Sequence, residues 1–450
     1  MLCDGMAWGE DMSQVDNSLK NKKLLVLGGT RISCEIIRMA RGMGCFVGVA
    51  DYDRIEDSPG KQIADAAYDV SVMNIDAIVD LIRREHIDGV ITGFADAILP
   101  AYAEICEKSG LPAYATREQL ETFTRKDRYK KLLREYGIPT VEEYAFSPDG
   151  FDETIKDIKY PVLVKPVDSS GARGITICDS KNQLRKALDR ALAFSKSRTV
   201  LVERYIGGRE VTVNWLFKDG EYYLTSIANR HVKHNQKGVI PLPVGYTYPA
   251  AILSKYRDET EDKCRRMFRD QGIRNGMMFM QCKVEDGQCI VYDIGFRLTG
   301  TQEYVNLRAA CGYDPMEMMI RFALTGSMGE ERLAEKVDPT FGGKYGFNVS
   351  CLAAPGTIKE IVGRDEVLKM NGVLDAVIAH YPGETITENM RGLLAQIVIR
   401  ILGTVDRLDD LYGTMKKIED GIRIISTEGK DLKLDGIEPK DVEGFVLVKE

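Results

Sequence analysis

Between Lys22 and Ala115 the chain alternates short apolar runs with helix-like stretches, and this alternation constrains the fold more than any other feature. The runs KKLLVLGG (22–29), CFVGVADYD (45–53) and DGVITGF (88–94) have strand length and almost no polar interruption. Strands covered on both faces read this way, because neither face meets water. Between and after them lie ISCEIIRMARGMG, IDAIVDLIRREH and AILPAYAEICEKSG, which read as helices. Strands alternating with helices imply a parallel sheet wound by right-handed crossovers. A doubly wound α/β domain is therefore expected over residues 21–115, after a polar tail over 1–20.

The turn after the first strand, Gly28-Gly29-Thr30-Arg31-Ile32-Ser33, lacks the third glycine of a dinucleotide fingerprint. Asp51 and Asp53 stand about 20 residues on, where a ribose-binding acid would lie. A tight strand-to-helix turn needs small residues in any case, so the reading weighs against NAD. A substrate carboxylate or phosphate at that helix N-terminus stays open.

Composition narrows the classes. The 450 residues carry a net charge of −7, with 29% charged and 44% hydrophobic residues. That balance describes a multi-domain soluble protein and offers no basic footprint for nucleic acid. No apolar run reaches the length of a membrane span, and the N-terminus lacks the pattern of a signal peptide. The ten cysteines form no C-x-x-C pair. Reduced thiols in a cytoplasmic protein are the expectation.

After Ala115 the character changes. A cationic helical segment, TRKDRYKKLLREYG, stops at Gly137 before Ile138-Pro139. The strand-like YPVLVKP then leads into the small-residue loop DSSGARGI. The helix-like NQLRKALDRALAFS and the strands TVLVERYI and EVTVNWLF follow. MMFMQCKV and QCIVYDIGF read as antiparallel strands joined at Asp286-Gly287. From 341 short strands and a helix lead to a β-rich tail with a second turn candidate, Asp420-Gly421.

These segments carry chemistry in order. Lys126 lies on the cationic helix. Lys165 ends an apolar strand, so its stem is buried while its ammonium can emerge. The loop 168–174 can turn backbone N–H groups to an anion, since Gly171 and Gly174 remove side-chain obstruction. Gln281, Asp293 and Arg297 lie on the hairpin, and alternation points Asp293 and Arg297 the same way. Cations, a cradle and hard oxygen donors together suit phosphoryl transfer.

Taken in this order, the motifs resemble the ATP-grasp superfamily of carboxylate–amine ligases. The resemblance runs over about residues 21–425, towards the biotin carboxylase, carbamoyl-phosphate synthetase and amino-acid ligase branch. It implies a pre-ATP-grasp domain (21–115), an ATP-grasp fold over 116–340 with a mobile lid over about 142–202, and a C-terminal β-rich α+β domain over 341–450. RKDRYKKLLREYGIPT resembles the first ATP-binding helix and YPVLVKPVDSSGARGI the second lysine with its glycine-rich loop. Lys126, Lys165, Ser170, Gly171 and Gly174 are thereby implied at the phosphates. VLVERYIGGREVTV resembles the adenine hinge. It implies Glu203 and the backbone of Arg204 and Ile206 at the base, and Glu210 at the ribose.

CIVYDIGFRLTG resembles the metal-and-arginine strand, implying Gln281 and Asp293 as ligands of Mg²⁺ or Mn²⁺. It also implies Arg297 and Lys165 as catalytic. Gly295 departs from the usual Glu-x-Asn-x-Arg and removes one expected ligand. Acceptor contacts are implied in ANRHVKHNQKGVIPLPVGYTYPA, where Arg230, His231 and Lys233 join Arg297 as substrate candidates. The competing reading of this segment is a solvated crossover.

The resemblance implies ATP-dependent activation of a carboxylate as an acyl phosphate, attacked by an amine. Small-molecule substrates, no nucleic acid or membrane, and a homodimer are the partners implied. The alternatives are bicarbonate-dependent carboxylation, of the biotin carboxylase or aminoimidazole ribonucleotide carboxylase type, and a non-catalytic nucleotide-binding protein.

Overall fold

A computed structural model describes residues 19–145, 158–169, 173–233 and 241–448. Most of the expected polar tail, Ser170, Gly171 and part of the 142–202 lid lie outside these residues. By contact the chain forms two compact units, 1–116 with 316–329, and 117–315 with 330–450.

The first unit holds the parallel sheet read from the alternation. Its strands β1 (Lys23–Leu27), β2 (Phe46–Asp51), β3 (Ala66–Asp69) and β4 (Gly89–Thr92) lie in the order β3-β2-β1-β4. All three pairings are parallel. Leu24, Leu25, Val26, Val47, Val49 and Val90 are fully buried, as two-sided coverage requires. The Gly28-Gly29 turn is filled from within the protein. The Gly29 N–H donates to Asp51 Oδ2 at 2.5 Å, and Gly60 packs so close that a Cβ would stand 2.8 Å from Gly29 Cα. Lys61 is buried beside it, donating to the Asp51 and Asp53 carbonyls and to Asp69 Oδ1. These contacts use the turn and Asp51 to tie the sheet to the helix Pro59–Ile63.

The second unit contains three sheets. A small one, ordered β5-β8-β6-β7, joins β5 (Glu143–Tyr144), β6 (Val162–Pro166), β7 (Thr176–Cys178) and β8 (Val200–Arg204). The helix Lys181–Phe194 covers it with Leu184, Ala187, Leu188 and Ala191. The large sheet has eight strands in the order β13-β12-β9-β10-β11-β14-β18-β16. These are β9 (Glu210–Lys218), β10 (Glu221–Lys233), β11 (Leu242–Tyr248), β12 (Gly276–Glu285), β13 (Gln288–Gly295), β14 (Tyr345–Leu352), β16 (Val373–Ile378) and β18 (Ile397–Val405). The third sheet, β17-β15-β19, is built from β15 (Gly356–Val362), β17 (Thr385–Ile386) and β19 (Arg423–Ser426).

Two local expectations change. The described parts of 228–250 are no solvated crossover: they are the second half of β10 and the whole of β11, paired antiparallel in the middle of the large sheet. Asp420-Gly421 does not turn a hairpin but ends the helix Leu408–Gly421, whose Leu411, Met415 and Ile418 are buried in the C-terminal core. The Asp286-Gly287 turn does join β12 to β13, with φ of 51° and 71°. Both central residues at positive φ match the twist of the flanking strands.

Candidate nucleotide and ligase site

The site grows out of the β12–β13 hairpin. Gln281 lies directly opposite Asp293, and the register slips between Gln281 and Cys282. Tyr292 is the extra residue of the resulting bulge. A bulged residue leaves the ladder, which frees the Tyr292 carbonyl to accept from the Lys165 ammonium at 3.0 Å. Lys165 also pairs with Glu203 Oε2 at 2.9 Å, and Lys130 reaches the other oxygen of Glu203. Lys126 donates to the Ser169 carbonyl at 2.8 Å and stands 3.6 Å from Asp293. Tyr129 donates to Asp293 at 3.1 Å. The structure thus gathers Lys126, Lys165, Gln281 and Asp293 around one strand end.

Lys130 and Tyr129 escaped the reading of the sequence. The spacing held the signal for Lys130, because it follows Lys126 by four residues and shares its helix face.

Electrostatics follow from burial. Lys165 is 2% exposed, and desolvation pulls its pKa down to about 8 against the opposing pull of Glu203. Lys130 and Lys126 lower it further. Burial alone would raise Glu210, but Arg230 and Lys283 outweigh it and hold the carboxyl below its ordinary range. Lys283 and Tyr292 donate to Glu210 at 2.6 and 3.0 Å, and Arg230 closes the cluster.

Of the hinge residues, Glu203 is 1% exposed and engaged by the two lysines. The Arg204 N–H donates to the Glu142 carbonyl at 3.0 Å, and its guanidinium pairs with Glu285 at 2.6 Å. Ile206 is buried. A cleft of about 1230 Å³ opens beside the hinge, lined among others by Tyr205, Gly207, Gly208, Lys283 and Glu438. Gly174 adopts φ 76°, and a Cβ there would stand 2.9 Å from Phe194. Asp168 ties the start of this loop down, accepting from Ser195 Oγ at 2.8 Å and the Ser197 N–H at 2.7 Å.

The four substrate candidates do not converge. Arg230 shares its sheet face with Glu210, its direct neighbour across β9–β10. His231 points to the opposite face, where Nε2 bonds Thr247 at 2.9 Å and the ring stacks on Phe445. Burial holds its pKa down at about 4, so the ring is neutral. Lys233 pairs with Asp441 at 2.8 Å and Glu438 at 3.1 Å. Alternation along β10 separates these neighbours. Arg297 lies past the end of β13, its guanidinium 5.1 Å from the centre of the Phe279 ring.

That ring also explains Gly295. Phe279 is the cross-strand partner of Gly295, and a Cβ at 295 would lie 2.3 Å from the ring. The space over Gly295 is filled by an aromatic side chain. Asp293 and Gln281 remain as two facing oxygen donors. Among the described residues no cluster of three His, Cys, Asp or Glu side chains could hold a metal. Such a half-site suits a Mg²⁺ ion that keeps phosphate and water ligands, because Mg²⁺ sheds water reluctantly.

Residues 158–303 match the ATP-grasp domain family. The chain is 27% identical over 241 residues to formate-dependent phosphoribosylglycinamide formyltransferase of Ignicoccus hospitalis, covering 52% of this chain and 56% of that protein. It spans less than two thirds of the length of the curated relatives it matches first. Among solved structures, the L-amino acid ligase of Bacillus licheniformis superposes with a TM-score of 0.72 at 20% identity, covering 91% of this chain and 99% of that one. The biotin carboxylase domain of 2-oxoglutarate carboxylase from Hydrogenobacter thermophilus, solved with MgADP and bicarbonate, gives 0.73 at 19% identity, covering 92% and 91%. No helix among the described residues is long and apolar enough to cross a membrane. The chain carries an ATP-grasp domain and has the fold of ATP-grasp enzymes.

Proposed function

We propose that the chain is an ATP-dependent carboxylate–amine ligase. A carboxylate oxygen attacks the γ-phosphorus of ATP, the bond to ADP breaks, and an acyl phosphate forms. An amine nitrogen then attacks the acyl carbon, phosphate leaves, and the nitrogen loses a proton, giving an amide. Carboxylates resist nucleophiles because of their charge, and phosphorylation turns one oxygen into a leaving group. Catalysis of this kind is mostly positioning and charge stabilisation.

The observation that carries the reading is the convergence of Lys126 and Lys165 on the strand end that presents Asp293. Lys126 and Lys165 would bind the phosphates, and Tyr129 orients Asp293. Arg297, braced on Phe279, would meet the transferring phosphoryl group. Asp293 and Gln281 would hold Mg²⁺ or Mn²⁺, which when bound neutralises phosphate charge. The hinge around Glu203 to Glu210 would take the nucleoside. Small-molecule carboxylates and amines are the substrates on this reading.

ADP release, measured over a panel of carboxylates and amino acids with and without bicarbonate, tests it. Turnover is expected without bicarbonate and is lost in Lys165→Ala. The second reading, carboxylation through bicarbonate, is favoured by the fold shared with a carboxylase solved with that anion. A strict bicarbonate requirement would install it. ATP binding without ADP formation under every condition would leave a nucleotide-binding protein.

A further inference from the structure

Registers across the large sheet align a row of polar residues on the face that carries Arg230. Lys283, Glu210, Arg230, Tyr246 and Asn348 are successive cross-strand partners from β12 to β14. Two residues beyond Asn348, Ser350 pairs with Arg400 on β18. Directly paired residues of antiparallel strands share a face, so Arg400 joins Arg230. The contacts agree: Arg400 Nη1 donates to Ser350 Oγ at 2.8 Å, and Ser350 Oγ lies 3.3 Å from Asn348 Oδ1.

Acids besides Glu210 also stand on this face: Asp293, opposite Gln281, and Asp375, the β16 partner of Leu402, which itself pairs with Asn348. Glu210 already serves Arg230 and Lys283. Among the described residues Arg400 has a hydroxyl partner and no carboxylate within ion-pair distance. It remains half-buried, with part of its surface open. Arg230 Nε is buried and also finds no acceptor among the described residues. Desolvation pulls the Arg400 pKa below the ordinary arginine range, and Arg230 lowers it further. An arginine held away from water beside a second arginine is costly unless an anion completes it. Guanidinium donors in a fixed fork match the two oxygens of a carboxylate or phosphate.

We propose that Arg400, held in place by Ser350, and Nε of Arg230 bind an oxyanion, carboxylate or phosphate, that a substrate carries away from its reacting group. This rests on the ligase reading and adds a substrate class to it: a molecule with a second anionic group, held over β11 and β14. Arg400 then sets specificity, touching the substrate without touching ATP.

Titration calorimetry on the full-length protein saturated with Mg·ADP tests this, using inorganic phosphate and acetate as separate probes. Binding of one probe is expected, weakened at least tenfold in Arg400→Gln, with ADP affinity unchanged within twofold. The stronger probe tells phosphate from carboxylate. Arg400→Lys should recover part of the affinity. Equal probe affinity in the parent and Arg400→Gln overturns the proposal, as does a parallel loss of ADP affinity. Arg400→Met separates a structural role. Removing an uncompensated charge should leave the melting temperature unchanged or higher, and a drop would make Arg400 a fold residue and overturn the site. Anion binding that depends on Arg400 without ADP release on any substrate would sink the ligase reading and leave the oxyanion site standing.

Discussion

Lys165 answers two opposed demands, burial and charge. Desolvation brings its pKa to about 8, while Glu203 keeps the ammonium in place. If that ammonium binds phosphate, the free protein loses a binding charge as pH rises through 8. The Kd for ATP should then rise about tenfold per pH unit above that point. Lys165→Arg keeps its charge at any working pH and should give a flat profile between about pH 7 and 9.5. Fluorescence titration with an ATP analogue measures both, and a flat parent profile would remove Lys165 from the phosphates. Gly295 is a second case where one residue decides. With a Cβ 2.3 Å from the Phe279 ring, Gly295→Asn should cost about 1–3 kcal/mol through overpacking. In a Phe279→Ala background the same change should cost little further stability. The double variant should also bind Mn²⁺ more tightly than Phe279→Ala alone, read by electron paramagnetic resonance. A Gly295→Asn protein as stable as the parent would show that the ring moves freely. The gap at 295 was legible in the sequence as a missing ligand, but its filling by Phe279 was not, since the two are partners only through strand register.

Strand β10 shows how one element serves two purposes. Its alternation sends Arg230 to the polar face and His231 beneath Phe445. The C-terminal tail is tied there by backbone bonds from Ala251 N to Phe445 O at 2.8 Å and from Leu447 N to Pro249 O at 2.9 Å. His231 titrates near 4 in the folded protein against 6.5 ordinarily. The unfolded chain therefore takes up the proton first as pH falls. Its contribution to stability is complete above about pH 6.5 and is lost progressively down to about 4, by about 3 kcal/mol at most. His231→Gln should flatten this part of the pH dependence, followed by urea unfolding at several pH values. An unchanged slope would assign the acid sensitivity to other groups. The segment 228–250 read as loop material because its charges and prolines masked strand alternation. Only pairing on both sides makes its described strands, β10 and β11, an inner part of the sheet.

At the scale of the whole molecule, chain order and spatial order part company. The eight-stranded sheet runs from β13 to β16, so residues 210–295 and 345–405 share one set of backbone hydrogen bonds. The expected boundary at 340 falls between strands of that sheet. Residues 316–329 cluster with 1–116, and there β4 meets the helix Pro315–Thr325 so closely that a Cβ on Gly89 would lie 2.2 Å from the Ala323 carbonyl oxygen. Gly89→Ala should therefore destabilise by about 1–3 kcal/mol. Hydrogen exchange should quicken in β4 and in that helix together, and an effect confined to β4 would contradict the packing. The sequence by itself determined the parallel sheet, the lysine-bearing segments, the β12–β13 hairpin and the ATP-grasp resemblance. Each of these is written in local periodicity or in motifs read along the chain. The tertiary structure alone decided that Phe279 fills the space over Gly295, that His231 and Lys233 leave the face of Arg230, and that Arg400 joins it. Those facts depend on register between strands far apart in sequence, where a shift of one residue would turn every side chain to the other face.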